Sequence, residues 1–140
     1  MGTEPGFTEF PVASRQPEDK MTPNMCIENS VHAALDTGLR YAEGIAKGSF
    51  GCWFAHAWNV NDAGEAVDYT WDYAGGQYLG RIIGIEEKYR LSLDRGTWEF
   101  ERPLPWVPEG EIGIDVRTRE EAEWIAEQMN VTVEKVRNGR

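Results

Sequence analysis

Cys26, His56 and Asp68 are residue types that together make an activated thiol. Cys26 lies in the stretch PNMCIENSVHAALDTGL, His56 in FAHAWNV, and Asp68 in EAVDYTW, beyond the Gly-containing turn Asn61 to Gly64. A carboxylate beside an imidazole fixes its tautomer and favours the protonated form, which suits it to partner a thiolate. A cysteine in the first turn of a helix meets unpaired backbone N–H groups and the positive end of the helix dipole, and both favour the anion. Such a trio performs nucleophilic acyl chemistry through a thioester.

The elements that must position these residues are legible in outline. Ile27, Val31, Ala34 and Leu35 recur at helical spacing, the stripe of a helix buried on one face, with Asn24 placed to cap it and Gly38 to end it. Cys26 falls at the edge of that stripe, in line with Ser30 and Ala33. LRYAEGIAKG and CWFAHAWNVN read as strands, and EAVDYTW as a third that pairs with the second. Alternation puts Phe54, His56, Trp58 and Val60 on one face and Ala55, Ala57 and Asn59 on the other. A hairpin centred on Asp62 sets His56 directly opposite Asp68, with β-carbons roughly 5 Å apart. A slip of one residue would send Asp68 to the other face. Cys26 then meets His56 only if the helix covers the Phe54, His56, Trp58 face.

Around these elements the chain reads as one domain. Residues 1–22, with Pro5, Pro11 and Pro17, form an irregular lead-in. YLGRIIGI reads as a further strand and EEKYRLSL as a short helix, while TWEFERPLPWVPEGEIGIDV is extended or looping. Thr118 and Glu121 have capping-box spacing ahead of a helix at about 118–129, with Ala122, Trp124, Ile125 and Met129 on or near its buried side. VTVEKVR reads as a closing edge strand. The expected class is α+β, a nucleophile helix packed on an antiparallel sheet, with an extra C-terminal helix.

Composition narrows the function. A chain of 140 residues with 41% hydrophobic content can bury a core without metal or disulfide support. Its net charge of -10 repels phosphate backbones and anionic lipid, so neither nucleic acid nor membrane is an expected partner. The start lacks the basic and apolar run of a secretory signal, and the two cysteines, Cys26 and Cys52, suit a reducing compartment, so the reading is cytoplasmic. A Cys26–Cys52 disulfide is disfavoured on that ground. Zinc at Cys26, Cys52, His32 and His56 lacks close-spaced ligand pairs, and no cofactor is implied.

The order Cys26, then HAW with His56, then DYTW with Asp68 resembles the transglutaminase-like branch of the papain-like cysteine enzymes. There a helix-start cysteine precedes a histidine in an HAW-type strand and an aspartate in a DPT-type strand. The likeness covers residues 23–93, with 94–140 as a C-terminal extension, and YAEG and YLG are similar to segments of small bacterial and phage relatives. It implies a papain-like core and a peptidase, amidase, deamidase or transglutaminase acting on a peptide, protein or small amide or amine substrate. It also implies Cys26 as nucleophile, His56 as base and Asp68 as orienter. Asn24 and Gln16 are candidates for the second oxyanion donor, and Glu43, Trp58 and Tyr69 for substrate contact; Tyr69 stands where the family usually has proline. Trp53 and Trp71, with Trp58, are candidates to wall an acyl cleft. The competing class is a binding module that keeps the fold without the chemistry.

Overall fold

The computed structural model describes residues 7–23, 25–48, 51–72, 74–94 and 116–138. Among them the chain forms β1 (Thr8–Phe10), α1 (Cys26–Thr37), β2 (Arg40–Lys47), β3 (Trp53–Val60), β4 (Ala66–Val67), β5 (Gln77–Ile82), α2 (Ile85–Asp94) and α3 (Arg119–Asn138). This is an α+β arrangement, and the strands make one antiparallel sheet in the order β1-β5-β2-β3-β4. The sheet curls: beyond β1 the chain returns to β4, where Val12 bridges Ala66 and Ala66 N–H donates to Pro11 C=O at 2.7 Å.

Glycine permits the curl. Gly44 pairs with Gly80 between β2 and β5, and a β-carbon on Gly44 would lie 2.0 Å from Leu79 O, one on Gly80 2.2 Å from Glu43 O. No side chain can be accommodated at either position without moving the backbone. On the concave face the small Ala42, Ala46 and Ala66 make room for Phe10, Trp58 and Tyr78. The convex face carries the helices. Ile27 of α1 packs with Tyr41, Ala57 and Ile83, and Ala122, Ile125, Ala126 and Met129 of α3 pack on Ile45, Trp53 and Leu79. Each large apolar side chain so buried contributes about 1.5–3 kcal/mol.

Gly38 ends α1 as expected, with φ 78° and its N–H on Ala34 O at 3.0 Å. Other expectations need correction. The helix starts at Cys26 with Met25 in the cap position and no side-chain cap; Asn24 lies outside the described residues. Its buried residues are Ile27, Asn29, Ser30 and Ala33, while Leu35 is 68% exposed. Small Ser30 lets the helix approach β3 closely enough for the Asn59 side chain to donate to Ser30 C=O at 2.9 Å. The helix thus lies over the Ala57 and Asn59 face, not over the Phe54, His56, Trp58 face.

The lead-in contains a sheet strand, β1, whose three residues show no period long enough to read. The Thr118 and Glu121 capping box forms, with Glu121 N–H on Thr118 Oγ1 at 3.1 Å and Thr118 N–H on Glu121 Oε1 at 3.2 Å. VTVEKVR continues α3 rather than forming a strand. Val133 extends the buried row of Ile125, Ala126 and Met129, and that packing overrides the β preference of its valines. Trp124 is 56% exposed, on the outer side of α3. The proline-rich stretch before Val116 lies outside the described residues. No helix among the described residues is long and apolar enough to cross a membrane.

Candidate active site

β3 pairs with β4 through Asn59 and Val67, and Val60 and Ala66, a register centred on Ala63 rather than Asp62. Continued, it would set Asp68 opposite Trp58, two residues from the expected partner. A slip of two preserves the face, so Asp68 stays on the side of His56 without standing directly opposite it. β4 stops at Val67 because Asp68 starts a turn: its Oδ1 accepts the N–H of Thr70 at 2.9 Å and of Trp71 at 3.0 Å. That turn holds the carboxylate so that Oδ2 meets His56 Nε2 at 2.9 Å.

Both groups are buried, His56 at 2% exposure and Asp68 at 0%. Burial opposes the imidazolium, but the hydrogen bond it donates to Asp68, the neighbouring Cys26 and the charges of both outweigh it, and the His56 pKa is pushed up to about 9. Burial likewise opposes the carboxylate, and the His56 hydrogen bond and charge, then Tyr78 and the Trp71 amide, hold Asp68 below its ordinary range. Trp71 stacks on the imidazole with centroids 3.9 Å apart and planes 15° apart, a face that favours a cation and keeps water from the ring.

The Cys26 thiol lies near enough to the same imidazole to contribute to that upward shift. Since Nε2 serves Asp68, Nδ1 is the nitrogen left for the sulfur. This meeting occurs although the body of α1 lies over the other face. β4 flanks β3 only at Asn59 and Val60, and Cys26, the first residue of the helix, packs against the cluster that holds Ile27, Tyr41 and Ala57 while lying near His56. The first-turn N–H groups have no helical acceptor by construction, and among the described residues Met25 in the cap position offers them no side-chain acceptor. They are the natural donors for an oxyanion on a carbonyl attacked by the sulfur.

The remaining candidates fall elsewhere. Gln16 is committed to backbone: its Nε2 donates to Ala13 O and Ala66 O at 2.9 Å each, and its Oε1 accepts Asp68 N–H at 2.9 Å. With Lys20, whose Nζ reaches Asp68 O at 2.8 Å, it straps the acid's backbone to the lead-in. Glu43 is buried on the convex face, 2.8 Å from Lys88 Nζ and 2.5 Å from the Tyr41 hydroxyl. Trp58 is fully buried in the concave core, its ring 6.3 Å from that of His56, and Trp53 lies beneath α3, so of the three tryptophans Trp71 makes the close stack on His56 at 3.9 Å. Tyr69 is half-buried beside Asp68, its C=O accepting Met21 N–H at 2.8 Å.

Sequence reasoning missed Tyr78, whose hydroxyl donates to Asp68 Oδ2 at 2.7 Å, and no local signal announces it. A depression of about 370 Å³ lined by Thr37, Gly38, Leu39, Asn61, Asp62 and Ala63 sits at the far end of α1 from Cys26 and contains no nucleophile and base together. Among the described residues no three of His, Cys, Asp and Glu converge as a metal-binding group. No family model, curated protein or solved structure matches the chain.

Proposed function

We propose that the chain is a cysteine-dependent acyl-transfer enzyme acting on amide or ester bonds. One observation carries the reading: the His56 ring is hydrogen-bonded to Asp68 and has the Cys26 thiol close enough to shift its pKa, a base between an orienting acid and a nucleophile. The order of the three residues, the helix that begins at the cysteine and the curled antiparallel sheet support placing it in the transglutaminase-like branch of the papain-like enzymes.

The chemistry follows from the groups present. The Cys26 thiolate attacks the carbonyl carbon, and the negative oxygen that forms faces the first-turn N–H groups of α1. His56 gives its Nδ1 proton to the departing amine or alcohol as the carbon–heteroatom bond breaks, leaving a thioester on Cys26. Water or an amine then attacks, His56 takes the incoming proton, and collapse expels the thiolate and restores the imidazolium. Hydrolysis and amine transfer differ only in which nucleophile reaches the thioester. Asp68 keeps Nε2–H engaged throughout, so Nδ1 always faces the sulfur.

Iodoacetamide alkylation read by mass spectrometry tests this, with Cys52, also partly exposed, as the control in the same molecule. The expected result is a Cys26 rate roughly tenfold or more above that of Cys52 that drops in His56→Ala. A Cys26 that follows the Cys52 profile and ignores His56 would make the chain a binding module on an enzyme-like fold.

A further inference from the structure

Tyr78 touches neither the sulfur nor its carbonyl target, yet it is bonded to the acid on which the histidine depends. Its oxygen accepts the N–H of Gly75 at 2.7 Å, and an amide can only donate. The phenol's own hydrogen therefore goes to Asp68 Oδ2, at 2.7 Å, the same oxygen that receives His56 Nε2–H at 2.9 Å. Asp68 Oδ1 is occupied by the amides of Thr70 and Trp71, so Tyr78 and His56 share one carboxylate oxygen.

The arrangement is enclosed and rigid. Tyr78 is fully buried, edge-on to Trp58 with centroids 4.9 Å apart, and Gly75 must be glycine because a β-carbon there would lie 2.7 Å from Lys47 O and 2.9 Å from the Trp71 ring. Burial, then the charge of Asp68, raises the phenol's pKa, so it remains a donor wherever the enzyme works. Among the described residues the groups facing His56 are Cys26 from α1, Asp68 and the Trp71 ring from the turn after β4, Trp58 from β3 and Tyr78 from β5, with Gly44 of β2 opposite it. Lys20 from the lead-in acts on the Asp68 backbone carbonyl.

We infer that Tyr78 is a positioning residue that sets the proton affinity of His56, and with it the upper pH limit of the site, by drawing charge from the Asp68 oxygen that faces the imidazolium. This rests on the reading of His56 as the partner of Cys26. It has a counter-intuitive sign. Removing the hydroxyl leaves the carboxylate charge less compensated, so the imidazolium becomes harder to deprotonate. A tyrosine that merely fills space would leave the titration unchanged when replaced by phenylalanine. One that merely holds Asp68 in place would let the His56 pKa fall toward the ordinary value of 6.5.

The experiment is an NMR titration of the imidazole nitrogens in the whole chain, with exposed His32 as the internal reference. Tyr78→Phe is expected to raise the His56 pKa above about 9, by roughly half a unit to one unit, with His32 unmoved. Replacing Tyr78 with 3-fluorotyrosine, nearly isosteric and a stronger donor, is expected to lower it, which keeps the test alive if the phenylalanine variant folds poorly. No shift, or a fall in Tyr78→Phe, would overturn the inference. The titration needs no substrate and no reactive thiol, so its outcome is independent of the alkylation result at Cys26.

Discussion

Glu43 and Asp68 are both buried carboxylates held by a cation and a tyrosine, and they lie on opposite faces of one sheet. Glu43 meets Lys88 Nζ at 2.8 Å and the Tyr41 hydroxyl at 2.5 Å, beneath the helices. Asp68 meets His56 at 2.9 Å and the Tyr78 hydroxyl at 2.7 Å, on the concave side. The partner separates them. A lysine ammonium ordinarily releases its proton only at high pH, so such a pair ties two elements together, here α2 and β2. An imidazole can give and take a proton near neutrality, and this one also faces a thiol. A buried acid is thus a poor marker of catalysis until its partner is known.

The sharpest way to break the comparison is to neutralise each acid in turn. Asp68→Asn is expected to cut turnover of the activated ester p-nitrophenyl acetate by roughly a hundred- to ten-thousand-fold, because the amide can present the wrong group to Nε2 and cannot support the imidazolium. Glu43→Gln is expected to leave that turnover within about tenfold of the parent. Similar losses from both variants would mean that the two acids do the same kind of work.

Stability should report the reverse. Glu43→Gln removes the charge that buried Lys88 faces, and urea denaturation should register a loss of about 3–5 kcal/mol. Glu43→Leu combined with Lys88→Met removes both charges and should recover most of that loss. A double variant no more stable than the single one would argue against a simple desolvated pair.

A third test is pH. His56 has a folded pKa of about 9 against an ordinary 6.5, so its contribution is fully present below 6.5 and lost as pH rises through about 9. The difference amounts to about 3 kcal/mol, visible as a lower urea midpoint at the alkaline end and absent in His56→Gln. Asp68, held low, contributes above its unfolded pKa and loses that contribution as pH falls through its folded value. The smallest effect is expected at the strap: Gln16→Ala removes its side-chain bonds to the Ala13, Ala66 and Asp68 backbone and should cost about 1–2 kcal/mol. It should slow Cys26 alkylation, whereas Glu43→Gln should not.

Much of the site was legible because its clues are short-range. Alternation assigned His56 and Trp58 to one face, and a register error of two residues left Asp68 on that face as well. Gly38 and the Thr118–Glu121 pair mark helix ends through contacts within a few residues. Leu35 and Trp124 misled because an apolar type states a preference, while exposure depends on where neighbouring elements end. Gln16 was open to misreading because an amide in a lead-in suits an oxyanion donor and a backbone strap equally well.

The amino-acid order alone determined the α+β class, the strand pair carrying His56, and the helix at Cys26, since each depends on local period and turn chemistry. The tertiary structure decided three further matters: that Cys26 reaches His56 from a helix on the opposite face, that Glu43 pairs with Lys88, and that Tyr78 shares the Asp68 oxygen. Those facts depend on how the Gly44 and Gly80 pair lets the sheet curl and on where β4 stops, which set distances between residues far apart in the chain.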